Sequence, residues 1–125
     1  MKQTMSNTKL TLYTLSTCKK CHSVKDALIH EGIYFDEILC DEDKNGFKCD
    51  NLEIEIDCNF YPIAVITKKI ERDRGGYFVY VEEKTVIHFC TKYDDASIKR
   101  KLNTDYFAIC ALNTIDMLQL ILKNK

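Results

Sequence analysis

The first forty residues change their hydrophobic period twice. Leu10-Thr11-Leu12-Tyr13 is a short apolar, β-favouring run, so Lys9–Tyr13 is predicted as a first strand. From Cys18 onward Val24, Leu28 and Ile29 recur at helical spacing, with Lys25, Asp26 and Glu31 on the other side, which predicts a helix over 18–31. Gly32 then suits the left-handed position just past a helix end. Ile33–Leu39, reading IYFDEIL, returns to β-branched and aromatic residues and predicts a second strand. Strand, helix and strand in this order form a βαβ unit, with parallel strands and a right-handed crossover expected.

The middle of the chain carries two competing periods. Asp41–Lys48 is polar and turn-like, with Asn45-Gly46 as a turn signal. Leu52, Ile54 and Ile56 alternate with Glu53, Glu55 and Asp57, which is a strand period. Leu52 and Ile56 also stand one helical turn apart, with Asp50 placed to cap, and a short helix is preferred because the architecture implied by the family resemblance given below includes one. Pro62, the only proline, precedes Ile63–Thr67 (IAVIT), a buried strand. Tyr77–Val81 and Thr85–Cys90 are further strand runs, with Gly75-Gly76 and Glu82-Glu83-Lys84 as candidate turns. One long bulged hairpin and a three-stranded meander both fit this pattern. Asp94 or Asp95 is placed to cap a helix to about Leu102, and Thr104 or Asp105 another to about Lys123. The expected organisation is one domain over 9–125, with 1–8 as a disordered tail.

Composition narrows the classes. A chain of 125 residues can bury a core without staples. Its 18 basic and 19 acidic residues are mixed along the chain, so neither a nucleic-acid footprint nor a polybasic membrane anchor is expected. The opening MKQTMSNTK is polar and lacks the apolar region of a signal peptide. Tyr106–Leu122, the longest apolar-rich stretch, is interrupted by Asn113, Asp116 and Gln119 and reads as an amphipathic or buried helix. A cytoplasmic protein is the expectation. Seven cysteines, at 18, 21, 40, 49, 58, 90 and 110, are an odd number without a secretion signal, which argues against a disulfide scaffold. Most of the other five, Cys40, Cys49, Cys58, Cys90 and Cys110, are therefore expected to be small hydrophobic fillers or bystanders. The nine-residue recurrence of Cys40, Cys49 and Cys58 does not match the two-to-four-residue spacing of metal ligand pairs.

Cys18 and Cys21 differ from the rest by their place, where a strand hands over to a helix. The first N–H groups of a helix are unpaired and carry partial positive charge, so thiols there ionise more easily, and the thiolate is the nucleophile of disulfide exchange. A CxxC pair beside a βαβ pattern reads as a thioredoxin-like redox motif. Cys18, nearer the helix start, is expected to attack a substrate disulfide, and Cys21 to resolve the mixed disulfide. Lys19 and Lys20 add positive charge beside the sulfur, and Thr17 offers a hydroxyl. A structural zinc site needs a second ligand pair, and no other CxxC exists. CKKCH also fits a c-type haem attachment, but that maturation needs export, and no axial ligand suggests itself. No bound cofactor and no metal are expected.

LTLYTLSTCKKCHSVKDALIHEGIYFDEI resembles the opening strand, CxxC helix and second strand of the glutaredoxin family without gaps. Tyr61-Pro62 before an apolar strand resembles the family's cis-proline, and Thr91-Lys92-Tyr93-Asp94-Asp95 resembles the turn that opens its last helix. The resemblance covers about 9–102. It implies an α/β thioredoxin-like fold of the glutaredoxin subtype: a central mixed sheet of about four strands flanked by helices. To this the chain adds an extended third-to-fourth strand region and an extra C-terminal helix. It further implies a monomeric thiol–disulfide oxidoreductase acting on protein disulfides or glutathione mixed disulfides. Tyr13, Thr17, Lys19, Lys20, Tyr61, Pro62, Tyr93, Asp94 and Asp95 are its expected substrate-binding residues.

Departures refine the picture. Leu15 stands where glutathione-using members carry a lysine, Tyr61 replaces the usual valine, and Thr91 and Lys92 replace two glycines. The chain also looks close to glutaredoxin-like donors that pass electrons from thioredoxin reductase and NADPH to ribonucleotide reductase. Glutathione or thioredoxin reductase is thus the expected electron source. The rival reading is a non-catalytic module that holds a partner peptide or an iron–sulfur cluster through Cys18; retention of Cys21 favours catalysis. Arsenate-reductase-like relatives lean on an arginine near the proline, and none occurs between Cys58 and Ile70.

Overall fold

The computed structural model describes residues 8–89 and 99–124. The elements are β1 (Thr8–Thr14), α1 (Lys19–His30), β2 (Asp36–Leu39), a 3₁₀ turn (Asp43–Asn45) and α2 (Gly46–Ile56). They continue with β3 (Ile63–Asp73), β4 (Phe78–Phe89), β5 (Arg100–Asn103), β6 (Tyr106–Ala111) and α3 (Thr114–Asn124). The strands form one mixed sheet in the order β2-β1-β3-β4-β6-β5.

The βαβ opening follows the period of the sequence. β1 and β2 pair in parallel from Thr11↔Asp36 to Thr14↔Leu39. α1 buries Val24 and Leu28 and ends in a Schellman motif. Gly32, at φ 71°, donates to the Ile29 carbonyl (3.0 Å), and Ile33 donates to that of Leu28 (2.9 Å). Ile33 is buried as the closing contact of that motif, so β2 begins only at Asp36. At 46–56 the helical period prevails over alternation, because Cys49, Leu52 and Ile56 share the buried face of α2 and Ile54 is left 78% exposed. The helix begins at Gly46, so Asp50 lies inside it and does not cap it. Asn45, at the N-cap, turns its side-chain amide back to the Leu39 carbonyl (2.8 Å).

β3 and β4 form one continuous hairpin, in register from Ile63↔His88 to Asp73↔Phe78. Its reversal lies at 74–77, where Arg74 donates to the Tyr77 carbonyl at 2.7 Å. Glu82-Glu83-Lys84, expected as a turn, lies within β4. The polar run is stable as strand because Lys68 faces Glu83 and Lys69 faces Glu82, opposite charges on directly opposed positions.

The far side of the sheet corrects the expected four-stranded picture. Residues 90–98, which carry part of the predicted helix after Asp94 or Asp95, lie outside the described residues, but Arg100–Asn103 is strand. The helix predicted from Thr104 or Asp105 is split. Tyr106–Ala111 is a strand, parallel to β4 from Lys84↔Tyr106 to Phe89↔Ala111, and only Thr114–Asn124 is helical. YFAICA is buried on both sheet faces, and such an unbroken apolar run has no period that separates helix from strand. The true helix start is marked by Asn113. Its side-chain oxygen accepts from the Asp116 N–H (2.8 Å), while the Asp116 carboxylate accepts from the Leu112 N–H (2.8 Å).

Two hydrophobic clusters sandwich the sheet. α1 and α3 set Val24, Leu28, Met117, Leu120 and Ile121 over Leu10, Leu12, Ala64, Ile66, Ile87 and Ile109. α2 covers the other face, with Leu52 and Ile56 over Ile63, Val65, Val86 and Ala108. Each fully buried Leu or Ile contributes about 1.5–3 kcal/mol. This packing fixes the carboxyl ends of β1 and β2 beside the start of α1.

Candidate active site

Three residues, 15–17, carry the chain from β1 into α1, and Cys18 is the N-cap, with extended φ −84° and ψ 113°. Its N–H donates to the Leu15 carbonyl (3.1 Å), and its own carbonyl accepts from the His22 N–H (3.3 Å). The Cys18 sulfur takes the place of a capping oxygen and accepts from the Cys21 N–H at 3.1 Å. The Tyr61-Pro62 peptide is cis. The Tyr61 carbonyl accepts from the Cys18 thiol at 3.6 Å. Cys18 and Cys21 are free thiols, the first half-buried and the second fully buried. Burial, reinforced by a hydrogen bond with Cys18, pushes the Cys21 thiol up to about 12, against weaker opposing pulls from the Leu15 backbone and Lys25.

The turn is pinned from below by groups without a sequence signature. Ser16 donates both its N–H (3.2 Å) and its hydroxyl to Asp41, and that hydroxyl holds the Asp41 carboxyl below the usual range. Thr14, buried at the end of β1, donates its hydroxyl to Glu37 (2.6 Å), which also accepts from Lys25 (2.9 Å). Burial works to raise the Glu37 carboxyl, but Thr14 and Lys25 together outweigh it and hold it low.

Of the expected substrate-binding residues, Tyr61 meets Cys18 through its carbonyl, and Pro62 follows it across the cis peptide. The Tyr61 hydroxyl donates to Glu53 of α2, and burial, with Glu53, raises the phenol far above its ordinary value. Tyr13 packs against the same cluster as Tyr61 on the α2 face, and its burial likewise raises the phenol. Thr17 and Lys19 are exposed beside Cys18, while Lys20 places its ammonium 4.5 Å over the Phe89 ring. Tyr93, Asp94 and Asp95 lie outside the described residues.

The expectation for the remaining cysteines fails for two of them. Cys40 and Cys49 are not fillers but a disulfide, with Cα atoms 5.8 Å apart. The 3₁₀ turn and the first turn of α2 fold the nine-residue separation back on itself. The sequence carries no signal for this pairing beyond the nine-residue spacing itself. Cys58 and Cys110 are buried, and Cys90 lies outside the described residues. Among the described residues, no group of three or more His, Cys, Asp or Glu side chains is arranged to hold a metal ion, and no helix is long and apolar enough to cross a membrane.

No curated protein and no solved structure matches the chain. The family model that matches is Glutaredoxin, over residues 10–52, which span β1 from Leu10, the cysteine turn, α1, β2 and the first half of α2. It implies a thioredoxin-like α/β fold, with six strands and three α-helices among the described residues, and a family of thiol–disulfide oxidoreductases. The sequence resemblance and the strand–helix–strand geometry around Cys18 thus meet in this match, and over residues 10–52, about a third of the chain, the protein is similar to the glutaredoxin family.

Proposed function

We propose that the protein is a dithiol–disulfide oxidoreductase in which Cys18 is the nucleophile and Cys21 the resolving thiol. One observation carries the reading: the half-buried Cys18 sulfur caps α1, with the Cys21 N–H behind it, the Tyr61 carbonyl in front, and a buried second thiol within hydrogen-bond reach. The Cys18 thiolate attacks one sulfur of a substrate disulfide, and the other sulfur leaves as a thiolate and takes up a proton. Cys21 then loses its proton and attacks the Cys18 sulfur of the mixed disulfide. A Cys18–Cys21 disulfide forms, the second substrate thiol departs, and two electrons have passed to the substrate.

Burial and the bond to Cys18 keep Cys21 protonated in the resting dithiol, so it does not compete as nucleophile. Once Cys18 is tied in a mixed disulfide it no longer offers that thiol hydrogen bond, and Lys25 still favours the Cys21 thiolate. Tyr61 and Pro62 border the sulfur on the side where an extended substrate segment would lie, and Lys19 and Lys20 favour an acidic one. The substrates are protein disulfides or glutathione mixed disulfides, with a ribonucleotide-reductase-type disulfide as the specific protein candidate. Leu15, in place of a lysine, weights the electron source toward thioredoxin reductase and NADPH over glutathione.

The test is reduction of insulin or of a ribonucleotide-reductase-type disulfide, fed in parallel by glutathione with glutathione reductase or by thioredoxin reductase with NADPH. Turnover with either feed is expected, Cys18→Ser should abolish it, and Cys21→Ser should accumulate a mixed disulfide visible by mass. Normal turnover in both variants would overturn the assignment.

A further inference from the structure

The Cys40–Cys49 bridge lies at the same end of the sheet as the candidate active site. Cys40 follows the last residue of β2, and its N–H donates to the carbonyl of Thr14, the last residue of β1 (2.8 Å). Cys49 sits in the first turn of α2 and is buried, whereas Cys40 is half-buried. The chain between them is mostly exposed and polar, so the bridge is the covalent strap that holds the start of α2 to the end of β2.

Two lines of contact run from this strap to Cys18. Asp41, next to Cys40, accepts both the N–H and the hydroxyl of Ser16, two residues before the nucleophile. Glu53, one turn of α2 beyond Cys49, accepts the Tyr61 hydroxyl, and the Tyr61 carbonyl accepts from the Cys18 thiol. We propose that Cys40–Cys49 is a second thiol–disulfide site, opened by a dithiol, whose state sets the reactivity of Cys18. The reactivity part rests on the role assigned to Cys18 above; the opening part does not.

The exchange balances as follows. A dithiol's thiolate attacks the sulfur of Cys40, the less buried of the two cysteines, the bond to Cys49 breaks, and Cys49 leaves as a thiolate that takes a proton. The first turn of a helix favours such a leaving thiolate. The reagent's second thiolate attacks its own mixed disulfide with Cys40, closing a cyclic disulfide and releasing the Cys40 thiolate, which is protonated. Two electrons pass from the dithiol to the bridge, and an oxidised dithiol reverses the sequence. With the bridge open, the start of α2 and the 41–45 segment lose their tie, and the Asp41–Ser16 and Glu53–Tyr61 contacts loosen together. The turn that aims the Cys21 N–H at the Cys18 sulfur is then less fixed.

The test uses the full chain carrying Cys21→Ser, in which Cys18 has no neighbour to close on. It is equilibrated over ratios of reduced to oxidised dithiothreitol. Peptide mass mapping follows the bridge, circular dichroism follows the fold, and iodoacetamide labelling follows Cys18. The bridge is expected to open and re-close with the dichroism unchanged. Cys18 labelling should slow roughly fivefold on opening, as expected for weakening one hydrogen bond to its sulfur. Cys40→Ser with Cys49→Ser, added to the same chain, should label like the opened form. Opening only with loss of the dichroism signal, failure to re-close, or a labelling rate that changes less than about twofold would each overturn the proposal. Labelling requires no turnover, so a chain that reduces no disulfide would overturn the proposed function while leaving this result readable.

Discussion

His88 lies in the strand run Thr85–Cys90, and the structure shows it as a buried polar residue. The ring is fully buried in β4 and paired in register with Ile63 and Cys110, and the Arg100 guanidinium lies 3.1 Å from its Nε2. Burial first, and the charge of Arg100 second, lower the His88 pKa to about 4. The unfolded chain, with an ordinary imidazole near 6.5, therefore binds a proton that the folded chain refuses between those values. Stability is full above about pH 6.5 and is lost as pH falls toward 4, by about 2–3 kcal/mol. His88→Gln, which keeps a polar side chain of similar reach, should flatten that acid limb in urea titrations at pH 7 and pH 4.5. An unchanged acid limb would remove His88 as its source. Nothing in the strand pattern around Thr85–Cys90 marked this residue, because its partners come from β5 and β6, which the sequence hid.

The elements that were legible are those in which several local signals agreed. β1, α1 and the break at Gly32 were each supported by period, capping position and turn chemistry together, and their bounds moved by only a residue or so. Gly32 gives that agreement a measurable weight. Its φ of 71° disfavours any Cβ, and the space around it is open, so Gly32→Ala tests backbone conformation alone. The expected loss is about 1 kcal/mol by urea unfolding, with the site chemistry unaffected. The elements that were misread lacked such agreement. Tyr106–Ala111 is apolar at every position, and Glu82-Glu83-Lys84 looks like a turn until its opposed lysines are known. The disulfide is a property of pairing between two elements, and no periodicity reports it.

Over the whole molecule, α3 closes the face that α1 leaves open. Met117 and Ile121 are fully buried beneath it, in the cluster that also holds Leu10, Leu12 and Leu28. Met117→Ala should cost about 2–4 kcal/mol of folding stability in urea titrations, since it leaves a cavity that rigid neighbours cannot fill. Because the cysteine turn is fixed from the β2 and α2 side, the alkylation rate of Cys18 in the folded variant should stay at its parent value. A change in that rate with little loss of stability would show that α3 couples to the site.

The strand order also bears on how copies of the chain meet one another. The longest strands, β3 and β4, lie inside the sheet, while its two outer strands, β2 and β5, are four residues each. One rim carries Asp36 and Glu37, the other Arg100 and Lys101. The outer half of the β3–β4 hairpin reaches beyond the pairing with β1 and β6. It is studded with Lys69, Glu71, Arg72, Asp73, Glu82 and Glu83, and Arg72 is fastened to Asp105 at 2.9 Å. Short rims and charged ribbons are poor templates for adding a foreign strand. Among the described residues, the backbone left open to a foreign strand in a crowded solution is therefore that of two short rims and of the outer hairpin, where charged side chains stand between the exposed Tyr77, Phe78 and Tyr80.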